Sequence, residues 1–198
     1  MTPMLRKLLL LVPEWAKKPA RQLRDFVETL PYCGNERWCP VCEKSSRIFQ
    51  ETQIHPRKDA RCVHCGAVER HRFVWLYFSK MTNLFDETPK KMLHVAPEPC
   101  FESRLKNHLN QDYITADLLN SRAMVRVDIT DIPYSDEYFD VIYCSHVLEH
   151  VQDDKRAMRE LYRVLKPSGW AILLVPITLD RTFEDSSITD PSERLRVF

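Results

Sequence analysis

Apolar and polar positions change rhythm along this 198-residue chain. Over residues 1–32 the spacing is helical, with a break near Pro19. Leu23, Phe26, Val27 and Leu30 recur there at i, i+3, i+4 and i+7. Residues 33–68 lose that rhythm and hold turn residues and paired cysteines. Glu69 to Phe85 predicts a second helix, with Phe73, Leu76, Tyr77, Met81 and Leu84 as its apolar face. Beyond it, short apolar runs alternate with helical stretches. Lys91–Ala96, Tyr113–Ala116, Met124–Val127, Tyr138–Cys144 and Trp170–Val175 predict strands. Phe101–Leu109 and Asp153–Leu165 predict helices, the second with Met158, Leu161, Tyr162 and Leu165 on one side. Lys166-Pro167-Ser168-Gly169 then reads as a helix stop. Trp170 to Val175 is apolar throughout, as expected of a central parallel strand. Strands alternating with helices predict an α/β fold built on a doubly wound parallel sheet.

The length suits one domain of ordinary size with a small appendage. Three boundaries follow from the rhythm: a helical segment over 1–32, a cysteine module over 33–68, and the α/β domain over 69–198. A net charge of +1 gives no general reason to expect nucleic acid as a partner. Only three glycines leave almost no room for a glycine-rich phosphate loop. Leu5 to Val12 is apolar apart from Arg6 and Lys7, too short for the roughly 20 residues of a membrane span. No small-residue cleavage site follows it. Lys17, Lys18, Arg21 and Arg24 leave two readings of this segment: an amphipathic membrane anchor, or a helix or tail against the main domain, and the second is favoured. The sequence says nothing of oligomeric state.

Seven cysteines, an odd number with two close pairs, fit a metal site with free thiols better than a disulfide framework. A reducing, cytoplasmic setting is the matching expectation. Cys39-Pro40-Val41-Cys42 and Cys62-Val63-His64-Cys65 make C-x2-C-x19-C-x2-C. Two residues between sulfurs let one tight turn offer both to one tetrahedral ion, and two such turns complete a four-sulfur structural zinc site. Gly66 suits the left-handed conformation of such a knuckle. Arg47, Arg57, Lys58 and Arg61 lie nearby, in a number ordinary for a solvated loop.

One further run stands out. Asp128-Ile129-Thr130-Asp131-Ile132-Pro133 leads into Tyr138-Phe139-Asp140-Val141-Ile142-Tyr143-Cys144-Ser145-His146-Val147-Leu148-Glu149-His150-Val151. An acidic turn enters a buried strand that ends in small and polar residues, the way an open α/β sheet presents a ligand site. With Leu161-Tyr162-Arg163-Val164-Leu165-Lys166-Pro167-Ser168-Gly169, it resembles the class I S-adenosylmethionine-dependent methyltransferases of the small-molecule type over about residues 90–180. A Rossmann-like fold is implied. A Glu-Arg-His-Arg helix (Glu69 to Arg72) leading to a Val-Ala-Pro-Glu turn (Val95 to Glu98) also resembles a group of bacterial methyltransferase-like proteins with a cysteine module.

The resemblance implies the S-adenosyl-L-methionine contacts. Leu93-His94-Val95-Ala96-Pro97-Glu98 stands where the family has an acidic residue and a glycine-rich turn. Here His94 replaces the acid, Ala96 and Pro97 make the turn, and Glu98 becomes the candidate partner of the cofactor ammonium, or else a helix cap. Asp117, followed by Leu118, takes the ribose hydroxyls. Asp128 takes the adenine amino group and Ile129 the ring face. Cys144-Ser145-His146 marks the corner where methyl group and acceptor meet. His146 is the first candidate base because histidine titrates near neutral pH; His150 is the second, then His71 with Arg70. Cys144 ends a buried strand and is a poor nucleophile.

The expected reaction is methyl transfer to a small-molecule or sugar-like acceptor. Two other readings stay open: a scaffold that keeps the fold without turnover, and an RNA or protein methyltransferase that docks substrate through the zinc module. Thr182 to Arg196 does not read as the two further strands of the family sheet, so either the chain is truncated or the sheet is abbreviated.

Overall fold

The computed structural model describes residues 27–53, 56–120 and 122–176, with Pro19, Asp185, Ile188, Asp190 and Glu193. Most of the helical rhythm over 1–32 therefore lies outside the described residues, as does most of Thr182 to Arg196. No helix among the described residues is long and apolar enough to cross a membrane. The chain divides into two compact units, Met1–Leu76 and Tyr77–Phe198.

In the first unit, β1 (Arg37–Cys39) and β2 (Lys44–Ser46) form a short antiparallel hairpin. A further antiparallel bridge joins Gln50 to Arg61. Among its described residues the buried apolar side chains are Val41, Phe49, Ala60, Ala67, Val74 and Trp75, with Cys39 and Cys62.

Helix α1 spans Glu69–Met81. It ends before Phe85 because Thr82 turns its hydroxyl back to the Phe78 carbonyl at 2.8 Å and accepts the Leu84 amide. The buried face is not the expected one. Val74, Trp75 and Phe78 are buried, whereas Phe73 is 69% and Met81 71% exposed. Residues 73–78 are apolar all round, so helical period alone cannot choose a side. Packing decides instead: within the second unit the Phe78 ring meets Phe101, Tyr143 and Trp170.

The second unit is a five-stranded parallel sheet of β3 (Met92–Val95), β4 (Tyr113–Asp117), β5 (Val125–Arg126), β6 (Phe139–Ser145) and β7 (Leu165–Leu174). The spatial order is β5-β4-β3-β6-β7. Helices α2 (Pro99–Leu109) and α3 (Asp154–Val164) are the crossovers from β3 and β6. The α/β, doubly wound, Rossmann-like expectation is met. One face of the sheet buries Leu93, Val95, Ala116, Ile142 and Cys144 with Ala157, Leu161 and Val164 of α3. Met158 and Tyr162, expected on that side of α3, are exposed. The connection 118–124 carries no helix among its described residues. Beside it a shallow groove of about 340 Å³ runs along the flank of α2 and β4.

Two expectations near the last strand are corrected. β7 is an edge of the described sheet rather than central, which explains its half-buried residues. Residues 166–169 continue β7 rather than merely stopping α3. A Cβ on Gly169 would lie 2.6 Å from the Asp140 carbonyl oxygen and 2.9 Å from Leu165 Cδ1. Glycine is needed there because β7 passes close to β6, where the register shifts between Phe139 and Val141.

Candidate functional site

The order of the sheet sets the site. β3 is followed in sequence by β4 on one side, and the chain then crosses to β6 on the other. The carboxyl ends of β3 and β6 therefore mark the switch point of the sheet, the place outside which α/β sheets take ligands in a crevice. Val95 pairs with Ala116 and with Cys144. The next residues, Ala96, Asp117 and Ser145, consequently line up across three neighbouring strand ends. The Ala96 amide donates to the Ala116 carbonyl at 2.8 Å.

Ala96 and His146 both hold left-handed backbone, with φ of +50° and +55°. Each is a non-glycine residue at the rim of the crevice, a conformation that costs about 1–2 kcal/mol. Pro97 is buried. Glu98 occupies the N-cap position of α2 but makes no side-chain cap bond. Its carboxylate turns back instead: Oε2 lies 2.8 Å from His94 Nε2, and Oε1 accepts the Tyr143 hydroxyl at 3.2 Å. The His94 ring is buried, and its Nδ1 is 2.7 Å from the Tyr113 hydroxyl. Glu98 thus brings an acid back to the end of β3, where His94 stands in the strand. Sequence reading missed Tyr143. It shares a face with His94 only through the register of β3 with β6, which no local pattern shows.

Asp117 ends β4. Its Oδ1 accepts the amides of Leu119 and Asn120, both at 2.8 Å. Leu118 stands exposed beside it. Asp128, just past β5, accepts the amide and hydroxyl of Thr130 at 2.8 Å through Oδ1. Ile129 is in the core cluster with Val127 and Ile132 rather than presented at the surface. Beside Asp117, the exposed apolar surface comes from Leu118 and Leu119.

At the end of β6, the buried Ser145 hydroxyl has no hydrogen-bond partner among the described residues. His146 Nδ1 faces Glu149 Oε1 at 3.3 Å. His150 is exposed on a 3-10 turn, Leu148–His150. Burial pushes the Cys144 thiol up to about 12, which keeps it protonated and a poor nucleophile. The acids of the crevice, with the orphaned Ser145 hydroxyl and the His146–Glu149 pair, form a set of acceptors that suits a ligand with an ammonium, ribose hydroxyls and an adenine amino group.

In the first unit, the Sγ atoms of Cys39, Cys42, Cys62 and Cys65 all lie within 4.8 Å of one another. Cys39–Cys65 and Cys42–Cys62 are 3.7 Å apart. A tetrahedron with metal–sulfur bonds of about 2.3 Å has edges of about 3.8 Å, whereas a disulfide would need about 2.05 Å. No disulfide joins any of the seven cysteines. The two knuckles match: the Glu43 amide donates to the Cys39 carbonyl at 2.8 Å, and the Gly66 amide to that of Cys62 at 2.9 Å. Both donors have positive φ, +58° for Glu43 and +75° for Gly66. The first knuckle therefore uses a left-handed glutamate where the second has its glycine. Hydrogen bonds among the clustered sulfurs pull Cys62 far below an ordinary thiol, as one thiolate shared by its neighbours requires.

The Glu-Arg-His-Arg run has a structural task in the first unit. Glu69 pairs with Arg57. His71 Nδ1 accepts the Val68 amide at 3.1 Å. Arg72 donates to the carbonyls of Ala60 and Ala67 and stacks over Phe49.

Residues 80–173 match the family described as a methyltransferase domain. The ubiquinone/menaquinone biosynthesis C-methyltransferase of Vibrio campbellii (strain ATCC BAA-1116) is 42% identical over 50 residues, 25% of this chain and 19% of that protein. Ajmaline N-methyltransferase of Rauvolfia serpentina is 32% identical over 68 residues, 34% of this chain and 23% of that protein. The match thus spans only about a fifth of these relatives' own lengths. Among solved structures, a SAM-dependent methyltransferase from Archaeoglobus fulgidus has a TM-score of 0.40 at 17% identity, over 51% of each chain. Over residues 80–173 the chain carries a methyltransferase domain.

Proposed function

We propose that this protein transfers a methyl group from S-adenosylmethionine to a small-molecule acceptor, with a structural zinc ion in its cysteine module. The observation that carries the reading is the row of acids, Glu98, Asp117 and Asp128, following the ends of three adjacent strands. The named reactions of the relatives, C-methylation and N-methylation of small molecules, support the acceptor class.

S-adenosylmethionine supplies an electrophilic methyl group for in-line transfer. Glu98 receives the ammonium, Asp117 the ribose hydroxyls and Asp128 the adenine amino group. Leu118 and Leu119 cover the apolar ring, the part expected of Ile129 from its motif position. The Ser145 hydroxyl offers a donor and acceptor at the corner beside them. His146 Nδ1 faces Glu149 at 3.3 Å, and the tautomer with its proton on that nitrogen leaves Nε2 to take a proton from the acceptor. Glu149 orients the ring, and His150 is the weaker alternative because it stands outside that pair. The protein's main contribution is alignment of donor and acceptor.

Four sulfurs leave no open coordination position, so zinc at Cys39, Cys42, Cys62 and Cys65 is structural. Arg37 and Arg57 are engaged by Asp59 and Glu69, which disfavours nucleic-acid docking on this module. Four cysteines gathered as a metal site support a reducing, cytoplasmic setting.

The test is calorimetric titration of S-adenosylmethionine and S-adenosylhomocysteine into metal-replete protein. Micromolar or tighter binding is expected. A folded, zinc-loaded protein that binds neither would overturn the reading and favour a scaffold.

A further inference from the structure

Four side chains at the end of β3 form a chain of hydrogen bonds that the transfer chemistry does not itself require. Tyr113, His94, Glu98 and Tyr143 are linked at 2.7, 2.8 and 3.2 Å. His94 is wholly buried, and the Glu98 side chain is 13% exposed. Burial pushes the Tyr113 phenol far above its ordinary value, so it keeps a proton to share with His94 Nδ1. His94 Nε2 lies against both the Glu98 carboxylate, at 2.8 Å, and the Glu98 amide, at 3.4 Å; in the tautomer that carries its proton on Nε2 the ring donates to Oε2. Tyr143 donates to the other oxygen. A carboxylate at an N-cap ordinarily accepts from the first amides of its helix. Glu98 gives up that bond, and the left-handed turn at Ala96 brings it back over the strand it has just left.

We propose that His94 and Tyr143 are positioning residues: they aim the Glu98 carboxylate into the crevice to receive the ammonium at the amino-acid end of the cofactor. This rests on the crevice binding S-adenosylmethionine, as proposed above. The two partners engage different oxygens of the carboxylate. They also hold the side chain in one rotamer before the ligand arrives, which removes part of the ordering cost of binding. His94 thus acts at one remove, through the acid it carries, and the device needs no glycine in the turn.

The experiment compares two ligands by calorimetry: S-adenosylhomocysteine, which has the ammonium, and 5′-methylthioadenosine, which lacks the amino-acid end. Glu98→Gln should weaken S-adenosylhomocysteine roughly 10- to 100-fold, the range for a hydrogen bond to a charged group, and leave 5′-methylthioadenosine unchanged. His94→Phe and Tyr143→Phe should reproduce that selective loss in part. His94→Gln, whose amide can still donate to Glu98, should recover some of it. The double variant Glu98→Gln/His94→Phe should be no worse than Glu98→Gln alone. If His94→Phe does not fold, Tyr143→Phe, which removes one hydroxyl, carries the comparison. Equal weakening of both ligands, or no change in either, overturns the positioning role. Failure of the wild type to bind either ligand overturns the cofactor reading instead.

Discussion

Asp117 serves two tasks that one substitution can separate. Its Oδ1 holds the turn after β4 by accepting the amides of Leu119 and Asn120, both at 2.8 Å. Neither bond uses Oδ2, the oxygen we assign to the ribose hydroxyls. Asp117→Ala removes both functions at once and cannot tell them apart. Asp117→Asn keeps a carbonyl oxygen for the two amides and puts an NH2 donor in place of Oδ2. The turn should survive, while a ribose hydroxyl loses a charged acceptor. A hydrogen bond to a charged group contributes about 1.5–3 kcal/mol. Affinity for S-adenosylhomocysteine should therefore fall roughly 10- to 150-fold at one decade per 1.4 kcal/mol. Titration calorimetry gives the affinity, and a thermal melt of each variant checks the fold. Asp117→Asn binding like wild type, with Asp117→Ala losing both affinity and melting temperature, would refute the ribose contact and leave Asp117 a turn residue.

Two further outcomes follow from the geometry. Removing metal with a strong chelator should abolish the amide signals of 33–68, since structural zinc supplies about 10–16 kcal/mol in such modules and, among the described residues there, only Val41 and Phe49 are large buried apolar side chains. Metal analysis should find one zinc per chain, and a metal-free sample with an unchanged amide spectrum would contradict the zinc assignment. Gly169→Asn distinguishes a strand glycine from a helix-stop glycine. Asparagine is accepted at a left-handed stop, whereas a Cβ 2.6 Å from the Asp140 oxygen should cost about 1–3 kcal/mol. A wild-type melt for that variant would return Gly169 to the capping role.

Much of this architecture is legible in the sequence because alternation is a local signal. The sequence spans for β3, β4 and β6 agree with the strands to within a residue or two, since their side chains bury on both sides of a parallel sheet. The cysteine spacing is local too, and the four sulfurs converge. What spacing cannot supply is which side of an all-apolar helix meets the sheet, as α1 demonstrates, or where a strand falls in spatial order, as β7 demonstrates. The Glu98 interaction was out of reach for another reason. Its partners His94 and Tyr143 lie 49 residues apart and meet only because β3 and β6 pair in register. Ile129 looked like a ligand contact because a position in a motif does not specify the direction of a side chain.

Arg163 illuminates what the recognisable part of the chain encodes. Its guanidinium reaches Glu160 twice, Asp136, and the carbonyls of Ile132 and Tyr134. All five N–H groups of the fork are spent tying the loop beyond Asp128 to α3, a task no lysine could perform. Lys166 binds Asp140 in the same region, and Gly169 yields space to that residue's carbonyl. The run is joinery: side chains spent on such joints hold loop, helix and strand together and are closed to a ligand. It therefore speaks for the frame of the domain, and what the domain acts upon has to be read from other surfaces.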